Sequence, residues 1–261
     1  MSKPIKREFG NRSIPAWVTG AGGEKFTDIT YQVAEGMAKI AINRPEVRNA
    51  FRPQTIIELQ EAFSLARDNS EVGVIIFTGT GDEAFCSGGD IAFLRASAME
   101  DGGVSGRKFF HDEYQLNHFL FTYPKPVIAF MDGIVMGGGM GLSQGAAFRL
   151  VTERTQMAMP ETHIGLFPDV GGGYFLSRLA GATGEFLGLT GQTLGAAEAV
   201  AVGLADGQAH SSHFQKAGHG RGEVFKFQRR HPFAPRLDHV LQPVCDAHIA
   251  VGVHRPDVAC V

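Results

Sequence analysis

The chain has 261 residues, 20% of them charged, and a net charge of −3. That balance excludes a general electrostatic attraction to nucleic acid or to an anionic membrane, and the length allows one large domain or two small ones with a substantial core. The three cysteines, Cys86, Cys245 and Cys260, form no CxxC pair, which excludes a disulfide framework or a structural zinc site as the organising device.

In chain order, residues 1–26 are polar and turn-rich, and an extended or poorly ordered arm is expected there. They hold no apolar stretch of the kind a secretory leader needs, and no run of about 18 apolar residues occurs. A cytoplasmic, reducing location is the default expectation. Ile29–Val33 and Met37–Ile42 read as strands joined by the turn Ala34-Glu35-Gly36. Thr55–Ala66 has a mostly helical apolar period, and Val72–Phe77 is a continuous apolar run, as in a strand covered on both faces. Thr78–Gly89 reads as a loop, Phe109–Phe121 as a helix, Pro126–Met131 as a second buried strand and Phe148–Thr152 as a third. Pro160–Gly173 reads as a loop, with helical patterns over Tyr174–Leu179, Glu185–Leu189 and Ala196–Val202. Alternation of strands and helices to about residue 205 predicts an α/β fold with covered sheets. Residues 207–261 differ in character: they hold seven of the ten histidines and few aliphatic clusters. No ligand spacing links those histidines, so a weakly folded tail is expected rather than a metal site.

Two segments share one design, a buried strand, a glycine-rich turn and an apolar helical pattern. The turns are Cys86-Ser87-Gly88-Gly89-Asp90 and Gly137-Gly138-Gly139. Glycine lets a backbone N–H approach a ligand without hindrance, and a helix start leaves its first N–H groups unpaired with partial positive charge. Two such turns can converge on one carbonyl oxygen and hold the negative charge that develops there. A plain tight turn is the alternative for each alone. Neither fits a phosphate-cradling pattern, since GxxxxGK[ST] is absent.

Asn43-Arg44-Pro45 with Asn49-Ala50-Phe51, then FCSGGD (85–90), KPVIAFMDGIVMGGGMGLS (125–143) and MPETHIGLFPDVGGGYFLSRL (159–179), resemble the crotonase (enoyl-CoA hydratase/isomerase) superfamily over roughly residues 27–206. Phe26–Asp90 looks most like the 1,4-dihydroxy-2-naphthoyl-CoA synthases. Ile91–Asp206, with FFHDEYQLN and LGLTG, looks most like the 3-hydroxyisobutyryl-CoA hydrolases. The resemblance implies a crotonase-like spiral of ββα units, with an arm at 1–26, the acyl-CoA domain at 27–206 and an atypical tail at 207–261.

By that resemblance Gly89 and Gly138 are expected to donate two oxyanion-hole N–H groups, and Ser87, Gly88 and Arg48 to lie along the CoA moiety. Glu161 stands where the family keeps a catalytic carboxylate, Asp169 matches the hydrolases' second acid, and Glu113 matches a substrate-contacting acid. For Glu113 an ordinary exposed helix acid is the plainer reading, for Asp169 a helix N-cap, for Cys86 an inert core thiol and for His163 a pocket-lining residue. The crotonase hydratases carry a second glutamate where this chain has Gly141, so hydration is not expected, and MPETHIG replaces the synthases' polar Gln-Thr-Gly segment.

Hydrolysis of a short 3-hydroxyacyl-CoA thioester is the expected reaction, with Glu161 as nucleophile or as base toward water and Asp169 positioning the substrate hydroxyl or the water. Another crotonase reaction and a non-catalytic acyl-CoA-binding or assembly protein are the rivals. No metal and no cofactor beyond the CoA of the substrate is expected, no nucleic-acid or membrane partner, and a homo-trimer or hexamer where the tail permits.

Overall fold

The chain doubles back at Glu35-Gly36, both at positive φ (46° and 79°), which is the tight-turn geometry that matches the natural twist of a hairpin. The computed structural model describes residues 18–19 and 26–211. The elements in order are β1 (Val18–Thr19), β2 (Ile29–Ala34), β3 (Met37–Ile42), α1 (Pro53–Asp68), β4 (Val74–Gly79), β5 (Ala84–Cys86), α2 (Ile91–Glu100) and α3 (Val104–Phe121). They continue with β6 (Val127–Met131), β7 (Ile134–Met136), α4 (Gly138–Ser143), β8 (Phe148–Thr152), β9 (Gln156–Ala158), α5 (Gly172–Leu176), α6 (Thr183–Thr190), β10 (Leu194–Gly195), α7 (Ala196–Val202) and β11 (Gly207–Ala209).

The strands form two sheets, a long one in the order β1-β2-β3-β4-β6-β8-β11 and a short one in the order β10-β9-β7-β5. From β3 onward the long sheet is parallel. Each successive pair, β4/β5, β6/β7 and β8/β9, gives its first strand to the long sheet and its second to the short one. This is the expected spiral of ββα units, and it repeats in space although the sequence holds no internal repeat. The core lies between the layers. Phe63 and Phe77 meet edge-on at 5.3 Å, and Phe77 meets Phe85 at 5.2 Å. α1 starts at Pro53, whose fixed φ suits a first helical position, and buries Ile56, Leu59, Phe63 and Ala66 along one stripe.

The expected long strands and α1, α3, α6 and α7 are present, with ends displaced by a few residues. Three readings change. The stretch Thr78–Gly89 is not all loop, because it completes β4 and contains β5. The apolar helical pattern after the first turn begins at once, as the helix Ile91–Glu100, rather than at Phe109; most of its residues are apolar, yet only Ser97 is fully buried, so no buried stripe marks its bounds. The strands that aim the two glycine turns are the three-residue β5 and β7 of the short sheet, not the long runs Val72–Phe77 and Pro126–Met131.

Val18–Thr19 pairs with β2, and the rest of the arm before Phe26 lies outside the described residues. The long sheet takes in Gly207–Ala209 beyond Asp206. The remainder of the tail, residues 212–261, with all its histidines except His210 and with Cys245 and Cys260, lies outside the described residues.

Candidate active site

β5 and β7 are parallel neighbours, so the turns that leave their C-terminal ends emerge side by side. The Cβ that Gly88 lacks would fall 3.4 Å from the Gly138 nitrogen. Gly88 itself has φ = 103°, a conformation that other residues rarely adopt.

The first turn is stitched to the loop before α1. Ser87 N donates to the Arg48 carbonyl at 3.1 Å, Phe51 N to the Gly88 carbonyl at 3.0 Å, and Asp90 N to the Phe51 carbonyl at 2.9 Å. Gly88 N faces the Cys86 sulfur at 3.4 Å. Of the four amides from Ser87 to Asp90, only that of Gly89 has no partner among the described residues. In a parallel bridge the residue between two bonded neighbours turns its own amide to the opposite side, here away from Phe51. The Asp90 side chain caps α2 through Ala92 N and Phe93 N and accepts from both terminal nitrogens of Arg44 at 3.2 Å. Asn49, fully buried, accepts from Arg44 N at 2.9 Å and donates to the Thr80 and Ala84 carbonyls. The Asn43–Phe51 motif is thus the clamp that fixes the turn.

In the second turn, Gly137 N donates to the Ala158 carbonyl, and Met140 N and Gly141 N donate back to Gly137. Gly138 opens α4, and its amide has no partner among the described residues, as expected of a first helical position. A Cβ on Gly138 would fall 2.6 Å from the Phe51 ring and 2.8 Å from Glu113 Oε1, and one on Gly137 would fall 2.7 Å from Glu161 Oε1. Two carboxyl groups therefore flank the turn at the distance of a missing methyl.

Glu113 projects from α3 and is 2% exposed. Burial, then the nearby Asp169 and Glu161 charges, push its pKa up to about 8. Glu161, in a short 3-10 turn (Glu161–Ile164) after β9, is raised to about 7, mainly by burial and also by Asp169. Its Oε2 is buried without a partner among the described residues. Asp169 is raised by burial, against which its hydrogen bonds work. One of these comes from the Tyr114 hydroxyl, 2.7 Å from Asp169 Oδ2. Three carboxyls crowded and partly desolvated in this way are what a site that handles protons near neutral pH requires.

The sequence-derived residues separate into two groups. Glu113 and Glu161 flank the second turn, with Asp169 close enough to raise the pKa of both. Ser87, Gly88 and Arg48 belong to the first turn and its clamp, Gly88 buried toward Gly138, Ser87 half-buried and Arg48 exposed. Arg48 is paired with Glu83 at 3.2 Å. Glu113 is not the exposed helix acid of the plainer reading. Asp169 is not an N-cap, because Gly171 holds that position in α5. Cys86 is buried, and desolvation lifts its thiol to about 12, as an inert core thiol requires. His163 turns from the acids to the Thr190 carbonyl at 2.8 Å. A cavity of about 570 Å³ is bordered by one of the acids, Asp169, together with Tyr114, Asn117, Gly141, Val170 and Tyr174. Reading the sequence missed Tyr114 and Asn117, although Asn117 follows Glu113 by four residues on a helix and must share its face. Among the described residues no group of histidine, cysteine and acidic side chains is arranged to hold a metal ion, and no helix is long and apolar enough to cross a membrane.

The fold and the two converging turns define a member of the enoyl-CoA hydratase/isomerase family, to which the chain belongs: the family profile matches residues 37–229. Among individual proteins, the chain is 43% identical to the mitochondrial 3-hydroxyisobutyryl-CoA hydrolase of Gallus gallus over 191 residues, 73% of this chain and 48% of that one. It is 40% identical to the small ribosomal subunit protein mS47 of Neurospora crassa over 192 residues, 73% of this chain and 38% of the other. The chain spans about half the length, or less, of these curated relatives. In structure it resembles an enoyl-CoA hydratase from Rhodobacter sphaeroides, with a TM-score of 0.71 and 32% identity over 84% of this chain and 65% of the other. It also resembles a carnitinyl-CoA dehydratase from Mycobacterium thermoresistibile, with a TM-score of 0.70 and 32% identity over 82% and 64%.

Proposed function

We propose that the chain hydrolyses a short 3-hydroxyacyl-CoA thioester. The observation that supports this reading is the pair of amides, Gly89 and Gly138, without partners among the described residues, on turns flanked by the buried carboxyls of Glu113 and Glu161, with the half-buried Asp169 near enough to raise the pKa of both. The similarity to the 3-hydroxyisobutyryl-CoA hydrolases supplies the acyl class.

In this reading the thioester carbonyl enters between the two amides. Glu161 takes a proton from water as the water oxygen bonds to the carbonyl carbon, and the resulting oxyanion is held by the two N–H groups. Collapse breaks the C–S bond, and the departing thiolate recovers the proton from Glu161. Asp169, held by Tyr114, positions the water. In the covalent variant the Glu161 carboxylate bonds to the carbonyl carbon, and the adduct collapses with cleavage of the C–S bond to an anhydride and the CoA thiolate. Water then adds to the Glu161 carbonyl carbon, releasing the acid and restoring the carboxylate while a proton of the water passes to the thiolate. A single turnover in H₂¹⁸O separates the two, since only the anhydride route leaves label in Glu161.

Hydratase chemistry is disfavoured by space as well as by residue type. A Cβ at Gly141, where the second glutamate of hydratases would stand, falls 2.5 Å from Val170 Cβ. The likeness to mS47 favours a second reading, a protein that keeps the fold and assembles without turnover. A panel of acyl-CoA thioesters scored for free thiol decides between them. Release from 3-hydroxyisobutyryl-CoA that disappears in Glu161→Gln supports the hydrolase. Absence of release from every thioester refutes it.

A further inference from the structure

The cavity that Asp169 borders contains a polar group with no assigned use. Asn117 lies one helical turn beyond Glu113 on α3, and Gly141 lies one turn beyond Gly138 on α4. The two pairs are matched: a Cβ on Gly138 would meet Glu113, and one on Gly141 would come within 3.1 Å of Asn117 Nδ2. Both amide atoms of Asn117, Nδ2 and Oδ1, are buried and have no hydrogen-bond partner among the described residues. A buried amide left in this state is costly, because it has given up water for nothing. Glycine at 141 leaves no side chain between the amide and Val170, and Asn117 borders the cavity with Tyr114 and Asp169.

The chemistry of the missing partner follows from that of the amide. Asn presents a donor and an acceptor side by side. A carboxylate or a ketone offers acceptors only and leaves Oδ1 unmet. An alkyl group meets neither atom. A hydroxyl accepts from Nδ2 and donates to Oδ1, and so satisfies both. Sites that hold a hydroxyl with otherwise unpaired polar groups discriminate strongly against the analogue that lacks it.

Resting on the hydrolase reading and deepening it, we infer that Asn117 is the specificity-determining residue that reads the 3-hydroxyl of the acyl group. The test measures binding, so that it does not depend on turnover. The full chain carrying Glu161→Gln is titrated calorimetrically with 3-hydroxyisobutyryl-CoA and with isobutyryl-CoA, with and without Asn117→Leu. The hydroxylated ligand binds the parent more tightly, and Asn117→Leu reduces that preference about tenfold or more. The melting temperature of the Leu variant equals or exceeds the parent's, because the amide it replaces has no internal partner to lose. A preference unchanged by the substitution overturns the inference while leaving the hydrolase reading intact. Failure of both thioesters to bind the parent overturns both. If Asn117→Leu does not fold, which itself contradicts the melting expectation, Asn117→Ala carries the same comparison of preferences.

Discussion

Replacing Glu113 by Gln should change how stability depends on pH. The group is 2% exposed, and its pKa rises from 4.5 in an open environment to about 8, chiefly through burial. Between those two values the folded chain keeps a proton that the unfolded chain has released, so stability falls as pH rises through this window. Integrated from pH 5 to pH 8, the contribution is roughly 3 kcal/mol for a single group with these two values. Gln keeps the shape of the neutral acid and cannot titrate. Urea unfolding followed by circular dichroism at pH 5 and pH 8 should therefore show the parent losing about 3 kcal/mol more than Glu113→Gln over that interval. The groups remote from Glu113 titrate in both proteins and cancel in the difference. Equal pH dependence in the two chains would refute the claim that Glu113 is buried and crowded by Asp169 and Glu161.

Other consequences are as direct. Gly138→Ala places a methyl within 2.6 Å of the Phe51 ring and 2.8 Å of Glu113 Oε1; it should cost about 1–3 kcal/mol in stability and lower thioester hydrolysis about 100-fold or more by displacing one amide donor. A Gly138→Ala chain that folds and turns over normally would contradict the assignment. Gly141→Glu should add no hydration of crotonyl-CoA, because Val170 blocks the new side chain, and loss of enoyl absorbance in that variant would refute the steric argument. Cys86 should resist alkylation in the native chain at pH 8, read by peptide mass, and react only after denaturation. Rapid native labelling would contradict a thiol buried and lifted to about 12.

Much of this site could be read in the sequence because its parts are local. The two glycine turns, Glu161 and Asp169 lie in short motifs whose residue types announce their geometry, and the long strands announce themselves by continuous apolar runs. What escaped is what depends on pairing across the fold. β5 and β7 are three residues each, too short for any apolar period, yet their parallel register is what sets the turns side by side. Glu113 could not be told from a surface acid, because its burial comes from α4 and Phe51, far away in sequence. Asn49 looked like part of a family motif, and only its bonds to Thr80 and Ala84 explain why an amide is required there. Asp169 was legible as an acid but not as the partner of Tyr114, 55 residues away.

The most direct measurement is the vibrational frequency of a thioester carbonyl labelled with ¹³C, taken on the full chain with Glu161→Gln so that the ligand survives. If the Gly89 and Gly138 amides both point at that oxygen, the stretch moves to lower frequency on binding, and Gly138→Ala in the same background abolishes most of the shift. A bound thioester whose carbonyl absorbs as it does free in buffer would contradict the convergence of the two amides.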